Sequence, residues 1–383
     1  MATFGAKAVS PLEAVSRAEE KSRDEPTYAA PSAKKKLVPS MSISGLAAEV
    51  FSIRFSPDGR YLAAACGDGA VRVFNASNGA LSHTMVTPNS TAGLPATIAR
   101  FRPVGAADRT KNVLLSGNAN GAIQHWHVTS GKCLNSLFDG DNQIYALDYV
   151  PSGDKFAAAG KEPVVKIFDE DTRKLVVTLQ GALGSFGIGL KGDAGHSNRI
   201  FSLKWHHSDP KLLLSGGWDN TVQLWDVRAA VSVRTIYGPH LCGDALDLDG
   251  DALLTGSWKP VDQLQIWDLG TGKLRRTIDW ASSYIQQREP CMVYAAQFSK
   301  MNNNADYLAA GGSGANEARV FDMGDGFNLI GTVTGLARGV FTLDFAPNAQ
   351  RLAVAGGDAT IRIIDIVGSD AWELERPGTA EKL

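Results

Sequence analysis

The chain has 383 residues, 44% of them hydrophobic and 40 of them glycine, with 38 Lys and Arg against 40 Asp and Glu. A formal net charge of -2 offers no electrostatic footprint for wrapping nucleic acid or adhering to an anionic membrane, and no apolar run reaches the ~18 residues that cross a bilayer. Length alone allows two or three domains of about 100–200 residues, so internal repetition must decide the architecture.

Met1 to Ala30 contains no apolar core of the secretory kind, and Glu13, Glu19, Glu20, Asp24 and Glu25 argue against an organelle transit segment; a cytoplasmic protein is expected. Ser10-Pro11-Leu12-Glu13 has the order N-cap, Pro at N1 and Glu at N3, and Pro26 would stop the helix so started. That helix has little apolar side beyond Leu12 and Val15, which leaves two readings open, a disordered polar tail or a helix ordered by a partner. Residues 1–36 are therefore read as a polar N-terminal extension with at most a short helix, and Lys34-Lys35-Lys36 as a solvated entry to the folded region. Lys36-Leu-Val-Pro-Ser-Met-Ser42 reads as an edge strand, where Pro39 is tolerated, and is expected to close a ring as the outer strand of its last unit. Its rival for that place is Ala371-Trp-Glu-Leu-Glu375.

From there one motif recurs seven times: Val71-Arg-Val-Phe-Asn75, Ile123-Gln-His-Trp-His127, Val165-Lys-Ile-Phe-Asp169, Val222-Gln-Leu-Trp-Asp226, Leu264-Gln-Ile-Trp-Asp268, Ala318-Arg-Val-Phe-Asp322 and Ile361-Arg-Ile-Ile-Asp365. The copies lie roughly 48 residues apart, near the length of a propeller blade. Each reads as four short strands; in the fourth copy these are Ile200 to Trp205, Leu212 to Ser215, Val222 to Asp226 and Val231 to Ile236. One such sheet cannot bury both faces, so the copies must stack and close. The fold expected is all-β, a single seven-bladed β-propeller over residues 37–375, with 376–383 a C-terminal tail.

The pattern resembles the WD-repeat β-propellers, most strongly in the fourth copy with Gly195-His196, Ser215, Asp219 and Trp225-Asp226. The resemblance implies a hydrogen-bonded network of His196, Ser215, Asp219 and Trp225 inside that blade. Other copies depart from it. None repeats the Gly-His pair, the third has Lys161-Glu162 where the turn Asp is expected, and the second ends Trp126-His127, so those blades are expected to be less rigidly pinned.

Three connections are long, Thr87 to Ala96, Gly181 to Ser197 and Ala281 to Cys291, and all emerge on one face of a propeller. Aligning first strands on Phe55, Phe101, Tyr149, Trp205, Leu248, Phe298 and Phe345 puts Phe51, Thr97, Tyr145, Phe201, Asp244, Tyr294 and Phe341 four residues earlier, near the channel mouth on that face. They serve either as packing between blades or as an aromatic-lined socket for a partner side chain. Trp218 and Trp258 occupy the same turn position in adjacent blades, where Gly67, Gly314 and Gly357 suffice elsewhere; exposed Trp is enriched in binding hot spots.

The string Leu213 to Arg228, ending Trp-Asp-Val-Arg, resembles the box of substrate receptors of cullin-RING ubiquitin ligases, which implies Arg228 as an adaptor contact. There is no P-loop, no G-x-S-x-G, no H-E-x-x-H and no defensible carboxylate pair. An enzyme would need a titratable cluster in the channel, which nothing in these motifs suggests. His206-His207 reads as a turn, and Cys66, Cys133, Cys242 and Cys291, far apart in sequence, as reduced and mostly buried residues. Neither metal, cofactor, nucleic acid, membrane nor small-molecule substrate is expected. The function expected is non-enzymatic, a protein-interaction scaffold in a large assembly, bound through the long-loop face and the N-terminal extension, in the cytoplasm and specifically a cytoskeletal structure or the cilium axoneme. The alternative is the ligase receptor.

Overall fold

Strands of three to nine residues separated by tight turns form the regular structure of the computed structural model, which describes residues 27–29, 34–86, 93–103, 112–181, 195–280, 289–300 and 305–368. Ser10 to Pro26, the central parts of the three long connections and Ala371 to Glu375 lie outside the described residues. Seven antiparallel sheets result, one per sequence copy. Their innermost strands are Val50–Phe55, Ala96–Phe101, Ile144–Tyr149, Ile200–Trp205, Leu246–Asp249, Met292–Phe298 and Val340–Phe345. Each packs against the next, and Val340–Phe345 packs against Val50–Phe55, so the blades close a ring around a channel.

Burial tracks position in the blade. The second strands lie between neighbouring blades and are buried on both faces, which explains their continuous apolar runs. Near the axis the blades converge and only small side chains fit, as in Ala63-Ala64-Ala65 and Ala157-Ala158-Ala159, all at most 1% exposed. The outer strands face solvent on one side and alternate, as Lys132–Phe138 does.

Ring closure uses the N-terminal segment. Strand Lys35–Ile43 pairs with Ile361–Gly368, Leu37 opposite Ile366 and Met41 opposite Ile363, with a bulge just after Pro39. Pro39 thus sits on an edge strand beside a bulge, where a missing N–H costs least. A second feature was not expected: Thr27–Ala29 adds to Asn328–Thr334 as a fifth strand of blade six. Part of the stretch read as an extension is therefore paired into propeller sheets. Lys35 reinforces the join, its Nζ 2.8 Å from Asp322 Oδ2 and 4.7 Å from the Tyr307 ring centre.

Candidate functional site

The channel has two ends of different chemistry. At the end where the inner strands begin, six of the seven blades carry a β-bulge, and the extra residue is Phe51, Thr97, Tyr145, Phe201, Tyr294 or Phe341. A bulge re-aims the side chain it carries, and here it turns aromatic rings toward the axis. The second strand must let the bulge approach. A Cβ on Gly217 would collide with the carbonyl oxygen of Arg199, and one on Gly356 with that of Gly339. The structure brings Phe51, Tyr145, Phe201, Tyr294 and Phe341 around a cavity of about 390 Å³. Tyr145 stacks on Phe201 at 4.7 Å, Phe51 on Phe341 at 5.8 Å, and Tyr294 meets Phe341 edge-on at 5.4 Å. All five rings are half-buried, so they pack together and still present surface. Burial raises the phenol pKa of Tyr145 and Tyr294, keeping both neutral. Thr97 also lines the cavity, its hydroxyl lying between the carbonyl oxygens of Gly117, at 2.9 Å, and Ile144. Blade five lacks the bulge, and Asp244 takes a different role there.

Trp218 and Trp258 extend this aromatic surface outward, 36% and 37% exposed. Trp218 lies 5.2 Å from Phe201 and Trp258 6.2 Å from Tyr294. Arg199 covers one Trp218 face at 4.9 Å, and His240 stacks nearby at 6.4 Å. The Trp218 indole N–H points to Cys242 Sγ, whose thiol burial pushes up to about 11, so it is inert as a nucleophile. Arg228 lies on the opposite face, in the turn after Thr221–Asp226, with its side chain 66% exposed and 3.8 Å from Asp226.

At the other end the channel is polar, contrary to the expectation from motifs. The residues just before the aligned first-strand positions are Arg54, Arg100, Asp148, Lys204, Asp247, Gln297 and Asp344; the first six line this end of the channel and Asp344 is fully buried behind them. This period is present in the sequence, but its residues are spread through the chain and form no local motif. The acids do structural work between blades. Asp148 Oδ2 accepts from Trp205 N at 2.6 Å, Asp247 Oδ2 from Phe298 N at 2.9 Å and Asp344 Oδ2 from Phe55 N at 2.7 Å, and Gln297 Oε1 accepts from Phe345 N at 3.1 Å. Their remaining oxygens hold cations: Lys204 on Asp247 and Lys300 on Asp344, each at 2.6 Å. Burial pushes the Asp247 carboxyl up, but Lys204 outweighs it and holds the group below the ordinary carboxylate range. Arg54 and Arg100 converge on Asp244, which separates the polar chamber from the aromatic vestibule.

Within blade four the structure brings His196, Ser215, Asp219 and Trp225 together. His196 Nδ1 is 2.7 Å from Asp219 Oδ2, His196 Nε2 is 2.7 Å from Ser215 Oγ, and Trp225 Nε1 donates to Ser215 Oγ at 2.7 Å. The expectation that other blades are loosely pinned needs correction. Where the third strand carries Trp, a hydroxyl faces it across the sheet: Trp126 on Ser116 at 2.9 Å and Trp267 on Thr255 at 3.0 Å. Where it carries Phe or Ile, Ala or Val replaces the hydroxyl and a cation pairs with an acid instead. These pairs are Arg72 with Asp68, Lys166 with Glu162, Arg319 with Glu317 and Arg362 with Asp358, all within 2.9 Å. Glu162, noted as a departure, supplies the acid of blade three.

Comparison with known proteins agrees with this architecture. A model described as WD domain, G-beta repeat matches residues 190–226 and 327–365, and one described as Anaphase-promoting complex subunit 4 WD40 domain matches 34–99. Relatives include Protein tipD of Dictyostelium discoideum, 22% identical over 42% of this chain and 24% of that protein. Target of rapamycin complex subunit wat1 of Schizosaccharomyces pombe is 28% identical over 41% of this chain and 46% of its own length. Guanine nucleotide-binding protein subunit beta of Solanum tuberosum is 25% identical over 60% and 58%. The matched stretch thus spans between a quarter and three fifths of these relatives.

Proposed function

Since the chain belongs to the WD-repeat β-propeller family, we propose that it works as a non-catalytic protein-interaction scaffold, a stoichiometric subunit of a larger assembly. The observation that carries this reading is the aromatic vestibule: five bulge-borne rings around a cavity, continued outward by Trp218 and Trp258. Building it on bulges spends local sheet pairing to expose apolar surface, and exposed aromatics are the usual anchors of a protein interface. The chemistry of the polar end supports the same reading, because Asp148, Asp247 and Asp344 each accept a neighbouring blade's N–H, Asp247 and Asp344 also hold a lysine, and Asp244 is held between Arg54 and Arg100. Fold alone does not assign function, and the relatives' names refer to unlike settings: a U3 small nucleolar RNA, a target of rapamycin complex and autophagy. The finer placement, in a cytoskeletal or axonemal structure of the cytoplasm, rests on the sequence expectation alone.

Affinity capture from source cells tests this, using the wild type beside Trp218→Ala/Trp258→Ala and Arg228→Ala. Loss of a stoichiometric set of chains in the Trp variant alone is the expected result. The ligase-receptor reading is favoured by the exposure of Arg228, paired weakly to Asp226 on the far face. If Arg228→Ala alone loses a ligase adaptor, that reading replaces the first; unchanged capture by the Trp variant removes the vestibule from the account.

A further inference from the structure

The aromatic vestibule selects an uncharged occupant. Burial keeps the phenols of Tyr145 and Tyr294 and the thiol of Cys242 neutral, and Asp244 is held between Arg54 and Arg100, so the cavity offers ring faces and no free charge. The fifth strand of blade six brings part of the chain itself to this face. Thr27–Ala29 runs antiparallel to Asn328–Thr334, with Thr27 opposite Thr334 and Ala29 opposite Thr332. Thr334 ends its strand on the vestibule face, because only Gly335 to Gly339 separate it from Val340, where the inner strand carrying Phe341 begins. The chain before Thr27 therefore meets the fold on that face, and the path from Thr334 to Phe341 is at most about 25 Å of backbone. Along this path Arg338 is exposed, its stem against Gly357 beside the Phe341 ring, with no carboxylate partner among the described residues.

We propose that the segment before Thr27, which lies outside the described residues, covers the vestibule of its own propeller, seating the Phe4 ring in the cavity with Asp24 and Glu25 toward Arg338, so that a partner must displace it. Phe4 is the one aromatic residue of that segment, and Ala2, Thr3, Gly5 and Ala6 beside it are small enough to let it enter a recess. The chain between Phe4 and Thr27 reaches about 75 Å when extended and about 25 Å at coil dimensions. The shorter figure matches the span to Phe341, the condition under which a tethered group is most concentrated at its site. At the millimolar effective concentration of such a tether a millimolar contact covers the vestibule about half the time, weakly enough for a partner to displace it. The inference rests on the scaffold reading only in taking the vestibule as a partner's docking surface.

Hydroxyl-radical footprinting of the full chain, read by peptide mass spectrometry, tests the cover without a partner. Phe4→Ala should raise oxidation of Tyr145, Phe201, Tyr294 and Phe341 severalfold and leave Phe138 and Tyr237 unchanged, which stand 69% and 75% exposed at the outer rim of the same face. A synthetic peptide of residues 1–26 added to the Phe4→Ala protein should restore protection saturably, and the same peptide with Phe4→Ala should not. Equal oxidation of wild type and variant, protection by the altered peptide, or wild-type protection that grows with protein concentration, the mark of a second copy's segment, would each overturn the proposal. Affinity capture separates it from the scaffold reading: Phe4→Ala should recover about twofold more of the chains that Trp218→Ala/Trp258→Ala loses, and an unchanged yield overturns the displacement. Trp-dependent capture beside an unchanged footprint overturns this inference alone; a Phe4-dependent footprint without Trp-dependent capture overturns the scaffold reading alone.

Discussion

Replacing Ser215 by Ala removes one oxygen and strands two buried groups. Ser215 is fully buried, and one proton arrangement satisfies every atom around it. The Trp225 indole donates to Ser215 Oγ, the Ser215 hydroxyl donates to His196 Nε2, and His196 Nδ1–H donates to Asp219. Without the hydroxyl, the indole N–H and His196 Nε2 each lose their partner, at about 1–3 kcal/mol apiece. The expected cost is therefore about 3 kcal/mol, allowing for some relaxation. Trp225→Phe alone should cost about 2–4 kcal/mol through lost packing and one hydrogen bond. The double variant should cost less than the two together by about 1–2 kcal/mol, because no indole is left to be stranded. Nature has made this double exchange in other blades, where Ala64, Ala158 and Ala310 accompany Phe74, Phe168 and Phe321. Urea unfolding monitored by far-UV circular dichroism gives the numbers, provided the slopes agree between variants. A cost for Ser215→Ala below about 1 kcal/mol, or additivity within about 0.3 kcal/mol, would refute the network as an energetic unit.

Three further outcomes can be checked. Burial pushes the Asp219 carboxyl up, but His196, Ser197 N and Thr221 outweigh it and depress its pKa. Its contribution is therefore full above the ordinary carboxylate value of ~4 and lost as pH falls through the lower folded value; Asp219→Asn should flatten the acid limb of a Tm-versus-pH curve, and an unchanged limb would contradict this. Asp344→Asn weakens the joint between blades seven and one by removing the charge that holds Lys300, and should cost about 3 kcal/mol in urea midpoints. Gly217→Ala drives a methyl into the Arg199 carbonyl and displaces the Phe201 bulge, so it should cost about 1–3 kcal/mol and lower partner capture together, which capture and melting on one preparation would read.

Much of the propeller was legible because its period is local. Third strands such as Val222 to Asp226 and Ile361 to Asp365 repeat a short apolar, polar, apolar pattern that a β-blade requires. The ring of Phe51, Tyr145, Phe201, Tyr294 and Phe341 was legible by alignment, but its presentation on bulges was not, because a bulge is a matter of register and only the Gly opposite hints at it. The charged ring is not a local pattern, since Arg54 and Asp344 become neighbours only on closure and Phe55 N meets Asp344 across 289 residues. Pinning of the blades does not require the His-Asp pair of blade four: an Arg-Asp or Lys-Glu pair at the corresponding turn occupies its place in blades one and three. Thr27–Ala29 carries too little pattern in three residues to announce a strand.

The strand that closes the ring also sets a delay during synthesis. Lys35–Ile43 leaves the ribosome roughly three hundred residues ahead of its partner Ile361–Gly368, about 15–60 s at ordinary translation rates. During that interval blades one to six can form from hairpins as they emerge, but the seventh cannot. Lys35–Ile43 must wait with both edges open, in the state most prone to pair with another nascent chain. Pro39, the bulge beside it and the lysines at the strand's start are the features that discourage such pairing.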